Sequence, residues 1–114
     1  MINDLFKAID NKDGELFSTF LTKNCQFRFG NLPVVEGTDN ILQFVSNFFN
    51  SIHSLNHHIQ AYWTLNDNLI CHGSVTYTRL DGSQLTVPFA NVLKYGPEGI
   101  FEYMIFVDAS ALHQ

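Results

Sequence analysis

Basic residues are scarce in this chain. Six lysines and arginines stand against eleven aspartates and glutamates, leaving a net charge of −5. They are scattered from Lys7 to Lys94 and form no stripe that could track phosphates, which argues against nucleic acid as a partner. No apolar run approaches the ~18 residues of a membrane-crossing helix, so no membrane span is expected. The opening MINDLFKAID carries acids and lacks a basic stretch followed by an apolar one, so no signal peptide is read there. Two cysteines, Cys25 and Cys71, lie far apart without a CxxC, which suits reduced thiols in a cytoplasmic protein. HExxH, a nucleophile elbow and a phosphate-cradling glycine loop are all missing, so neither a metal nor a cofactor is expected.

Phenylalanine, by contrast, is abundant: eleven in 114 residues, beside one Trp and four Tyr. With 46% apolar and 15% charged residues the chain has the composition of a folded protein. Its length suits one domain over residues 1–114. Rings in this number imply a packed core, a ring-lined hollow or a buried subunit interface.

Apolar residues at 2, 5, 6 and 9 make one helical stripe. Asp13 suits the N-cap of a second helix with Leu16, Phe17, Phe20 and Leu21 inward. CQFRF alternates like a short strand and stops at GNLP. Gly37, Thr38 and Asp39 then introduce a strongly amphipathic helix carrying Ile41, Phe44, Val45, Phe48, Phe49 and Ile52. From His57 onward strands follow one another through the turns NDN, Asp81-Gly82 and GPEG, with Pro88 hinting at an edge or bulge. Segregated helices and antiparallel strands predict an α+β fold with helices on one face of the sheet. The last strand places Phe101, Tyr103, Ile105 and Val107 on one face and Met104 and Phe106 on the other. Both faces are apolar, so the outer one needs cover, and a second subunit would supply it.

This order of elements resembles the nuclear transport factor 2-like superfamily, and within it the SnoaL-like group. The residues that carry the likeness are AIDNKDGELFSTFL, then CQFRFGNLPVVEG leading into TDNILQFVSNFF, and the closing GPEGIFEYMIFVD. The resemblance implies a cone-shaped curved antiparallel sheet wrapped over N-terminal helices, a cystatin-like α+β barrel. It also implies a pocket inside the cone and a homodimer through the outer face of the sheet. Relatives include ketosteroid isomerase, scytalone dehydratase, polyketide cyclases and non-catalytic binding proteins, so function must come from the site. Where isomerase-like members carry a general base, this sequence offers Phe29; where they carry a phenol it has Leu5 or Phe6. Asn91 falls near their oxyanion-holding acid. Steroid-type isomerisation is therefore not expected. Asp108, ending YMIFVD, matches the aspartate that closes the last strand in many SnoaL-like sequences and serves as acid and base in the cyclases.

Asp108 is thus the expected catalytic residue if it hangs over a cavity, where burial would raise its pKa. The plainer alternative is a turn-capping aspartate. His57 and His58 are adjacent and face opposite ways on a strand, so one of them could face the pocket and pair with Asp108. Asn91, Trp63, Tyr103, Phe29 and Phe106 are the expected ligand contacts. Tyr103 and Asp108 are an odd number apart, so a regular strand turns only one of them inward. The expected ligand is a small, largely apolar molecule, and the expected chemistry is cofactor-free isomerisation, dehydration or cyclisation. The alternative is a non-catalytic dimeric module whose pocket is filled by its own phenylalanines. Pocket volume separates the two, since below ~300 Å³ there is little room for a drug-sized ligand.

Overall fold

The described helices all lie in the first half of the chain and the longest strands run through the second, as the change of hydrophobic period from near four to two requires. The computed structural model describes residues 1–113. In order these form α1 (Ile2–Asp10), α2 (Gly14–Ser18), β1 (Leu21–Phe29), β2 (Val35–Glu36) and α3 (Thr38–Asn50). The strands β3 (Ser54–Leu65), β4 (Asn68–Thr78), β5 (Gln84–Gly96) and β6 (Gly99–Val107) follow. One six-stranded sheet runs β2-β1-β6-β5-β4-β3 and curves over the helices, giving the expected α+β cone. One neighbour relation differs from a purely antiparallel sheet. β1 lies parallel to β6, pairing Phe27 with Tyr103 and Phe29 with Ile105.

α1 buries Ile2, Leu5, Phe6 and Ala8 and leaves Asp4 and Lys7 outside. The Asp13 carboxylate accepts the Leu16 backbone N–H at 3.0 Å, a cap worth about 1 kcal/mol. α2 stops earlier than its apolar spacing suggests. The Ser18 and Thr19 hydroxyls donate to the carbonyls of Glu15 and Leu16, each at 2.6 Å, and so compete with continued helix. Leu16 is left exposed and Leu21 opens β1 instead. α3 buries Ile41, Val45 and Phe49, and its start is tied to β1 by the Thr38 hydroxyl donating to the Thr22 carbonyl at 2.6 Å. Phe44 and Phe48 lie on the adjoining row and reach over the concave sheet, where Phe48 meets Phe29 at 5.1 Å and Phe44 meets Phe27 at 5.7 Å.

The hairpin turns form where the sequence places them. Asn66 and Asp67 take φ of 50° and 62°, and Gly82 takes 91°. Pro88 lies just past the first β6 partner, on a length of β5 bonded to β4 alone. Two irregularities decide which side chains face inward. In β3 the register shifts between Ile59 and Ala61, opposite Gly73, where a Cβ would sit 1.8 Å from the His58 carbonyl oxygen. Between β5 and β6 it shifts at Lys94 and Tyr95, which turns Ile100 into the core and leaves Phe101 outside. Phe101 therefore does not share the face of Tyr103, Ile105 and Val107 as its spacing predicted.

The core lies between the helices and the concave face, with Phe17, Tyr103, Leu93 and Ile100 among its fully buried members. Among the described residues no element covers the convex face, which exposes Trp63, Ile70 and Phe106. Among the described residues no helix is long and apolar enough to cross a membrane.

Candidate functional site

The concave face and α3 enclose a cavity of about 50 Å³. β1 contributes Phe27 and Phe29, α3 contributes Phe44 and Phe48, β5 contributes Phe89 and Asn91, and β6 contributes Tyr103. The rings pack edge to face and tilted: Tyr103 lies 5.6 Å from Phe17 and 5.5 Å from Phe27. Seven phenylalanines line this space.

Four polar side chains break the apolar lining: His57, Asn91, Tyr77 and Tyr103. His57 belongs to the pocket but not to the partner expected for it. Its Nδ1 lies 2.6 Å from one carboxylate oxygen of Asp10, and its backbone N–H donates to the other at 3.0 Å. An ionised carboxylate can only accept, so Nδ1 carries the proton and Nε2 is the remaining ring nitrogen. The imidazole is clamped between Phe6 at 4.9 Å and Phe89 at 5.1 Å, the latter edge-on at 89°. The carboxylate fixes the ring's orientation and tautomer, and the two phenylalanines hold it at the cavity wall.

Asp10 was missed in the sequence. It ends α1, where the helix dipole disfavours a negative charge. An acid placed against the dipole was the available signal that a tertiary partner holds it.

Asn91 is 2% exposed and its amide oxygen has no hydrogen-bond partner. An unsatisfied buried acceptor costs about 1–3 kcal/mol, which makes this oxygen a standing demand for a donor. Burial holds Tyr77 and Tyr103 far above the ordinary phenol pKa, so both remain neutral hydroxyls. Burial, reinforced by the charge of Glu102, pushes the Cys25 thiol up to about 11. Burial does the same for Cys71, to about 11, against a partial offset from the Asn91 backbone. Neither cysteine is a nucleophile at neutral pH. Both are free and buried.

The other expected site residues lie elsewhere. Asp108 is exposed and stands at the end of β6, where it accepts the Ser110 backbone N–H at 3.1 Å. Hydrogen bonds from Ser110 hold its carboxyl below the usual carboxylate range. It thus lacks the buried setting that would raise its pKa towards neutrality. It does line a second recess of about 450 Å³ outside the cavity. Phe29, Phe44, Phe48 and Val107 border both spaces and form the wall between them. Trp63 and Phe106 are 55% and 60% exposed on the convex face, far from a ligand contact in the cone. The shifted register of β3 turns Trp63 outward, where it stacks on His72 at 5.7 Å and 11°. Phe106 alternates outward from the inward Ile105 and Val107. His58 is exposed. Among the described residues no three His, Cys, Asp or Glu side chains come together as metal ligands would.

A SnoaL-like domain profile matches residues 2–101. The chain belongs to the SnoaL-like domain family. A SnoaL-like structure from Shewanella denitrificans OS-217 superposes with a TM-score of 0.83 at 14% identity, covering 97% of this chain and 90% of the other. An NTF2-like protein of Burkholderia pseudomallei K96243 gives 0.86 at 12% identity, with 97% and 90% covered. An epoxide hydrolase of the LEH-like type from M. tuberculosis gives 0.82 at 8% identity, with 96% and 80% covered. At these identities the superpositions establish the SnoaL-like fold and leave the chemistry to the side chains. No curated protein matches the sequence.

Proposed function

We propose that this SnoaL-like protein, a single domain over residues 1–114, takes a small and largely apolar molecule into its cone. There, we infer, His57 moves a proton on it without a cofactor. The observation that carries the reading is the two-point hold of Asp10 on His57 at the wall of a ring-lined cavity. Asp10 fixes the tautomer and would stabilise the imidazolium, while Nε2 takes or returns the proton. The unpartnered oxygen of Asn91 would orient a ligand through its hydroxyl or N–H. Isomerisation, dehydration and aldol-type cyclisation all fit one such group. The role first expected of Asp108 passes to His57 and Asp10.

A cavity of about 50 Å³ holds no metabolite as it stands. Displacing the rings of Phe29, Phe44 and Phe48 would join it to the outer recess, so uptake depends on that wall moving. The same small volume favours the second reading, a non-catalytic module whose interior is filled by its own rings. Nuclear magnetic resonance titration with a panel of small neutral aromatics separates the two. Ligand-induced shifts at Asn91 and His57 support uptake. Silence there in both the wild type and Phe48→Ala, which opens the wall, leaves the filled module. Once a substrate is found, His57→Gln should lower kcat by about 10²–10⁴-fold with little change in affinity. Unchanged turnover would remove His57 from the chemistry.

The convex face supports self-association. Trp63 and Ile70 in one row and Ala90 and Phe106 in the next give a continuous apolar strip, with the Lys94–Glu102 pair beside it at 3.7 Å. A homodimer through this strip is the economical cover for it. Two free, buried thiols suit a reducing, cytoplasmic setting.

A further inference from the structure

A recess of about 450 Å³ opens beside the cone, on the far side of the phenylalanine wall. Its floor is the outer side of the phenylalanine wall, Phe29, Phe44 and Phe48. Asn31, Asn47 and Ser110 supply neutral polar groups around it. Its titratable lining groups are Asp108 and His113, and neither lysine nor arginine is among the lining residues. The His113 ring is turned to α3, with Nε2 3.0 Å from the Ser51 hydroxyl oxygen. Among the described residues, the one permanent charge lining this mouth is therefore the Asp108 carboxylate.

We propose that the recess binds an amphipathic cation: a molecule with a flat apolar body and an ammonium head. The body rests on the three phenylalanine rings and the head meets Asp108. Four features support that chemistry. The volume falls within the ~300–1,000 Å³ of small-molecule sites. Ring faces attract ammonium groups as well as apolar carbon, so the floor accepts both parts of such a ligand. The Ser110 N–H donates to one Asp108 oxygen at 3.1 Å, a local turn that holds the carboxylate at this mouth. The net charge of −5 adds a field that draws cations and repels anions. Binding here needs no motion of the wall and so stands apart from the proposal for the interior.

The test uses three probes of one shape on the full chain at low salt: 3-phenylpropylamine, 3-phenylpropanol and 3-phenylpropanoate. Calorimetry should rank them amine, alcohol, acid, with the amine about tenfold tighter than the alcohol. Asp108→Asn keeps an acceptor for the Ser110 N–H and so spares the turn. It should bring the amine to about the affinity of the alcohol and leave the alcohol unchanged. Asn47→Trp, at an exposed position of α3, should fill the recess and abolish amine binding. His57→Gln should leave amine binding unaltered, which separates this site from the interior. Equal affinities for the three probes, no binding of the amine, indifference to Asp108→Asn, or survival of binding in Asn47→Trp would each overturn the proposal.

Discussion

The two faces of the β4–β6 sheet are made by alternate residues of the same strands, yet they meet different fates. On the concave side Cys71, Asn91 and Tyr103 are sealed under helices and rings. On the convex side of the same strands Ile70 and Phe106 stand bare. Composition does not distinguish them, since both are apolar and aromatic. The difference is cover: the helices of this chain suffice for one side, and the other is left for something else. An apolar face thus says that burial is needed, without saying whether the covering surface lies in the same chain.

That contrast can be broken at several points. The largest effect is expected inside. Tyr103→Ala should cost about 3–5 kcal/mol in a denaturant melt, the range for emptying an aromatic core position. Phe106→Ala should stay within about 0.5 kcal/mol when measured at concentrations where the chain is monomeric. Equal losses would mean that the two faces are equivalent. Outside, Phe106→Lys should weaken self-association by about 2 kcal/mol if the convex strip is the dimer centre, as read by sedimentation. An unchanged association constant would move the interface elsewhere.

A smaller effect is expected at Asn91. Replacing it with leucine removes the unpartnered oxygen and should raise stability by about 1 kcal/mol, while costing any ligand that donates to that oxygen. A loss of stability instead would mean that the amide is satisfied in solution. The smallest signal is alkaline. Tyr77 and Tyr103 bind their protons more tightly folded than unfolded, so their contribution is intact below the ordinary tyrosine value of 10.0 and falls as pH rises beyond it. Tyr103→Phe should flatten part of that fall. A curve of unaltered slope would show that Tyr103 is more open to water than its 1% exposure indicates.

The architecture was largely legible because its signals are local. The stripe of α1, the apolar rows of α3 and the turns at Asn66–Asp67 and Gly82 are each set within a few residues. The parallel contact of β1 with β6 joins residues more than seventy positions apart, Phe27 with Tyr103, and no local pattern announces it. Within the site, Phe29 and Asn91 line the cavity at positions that the family resemblance named, and Tyr103 lines it at a position that alternation had left open between it and Asp108. Asp10 was named by neither, because helix spacing marks it only as the polar end of α1, and its partner arrives 47 residues later. Phe101 and Trp63 escaped for one reason: each lies beyond a register shift, and alternation cannot be carried across an extra residue.

The irregularity in β3 reaches further than its size suggests. His57 and Trp63 are both odd-numbered, yet the histidine points into the cone and the tryptophan away from it. Gly73 makes the switch possible, because any larger residue there would collide with the His58 carbonyl. Deleting Gln60 alone would carry the indole towards the hollow and strip the convex strip of its broadest ring. One backbone atom's worth of clearance thereby apportions an aromatic residue between chemistry and assembly.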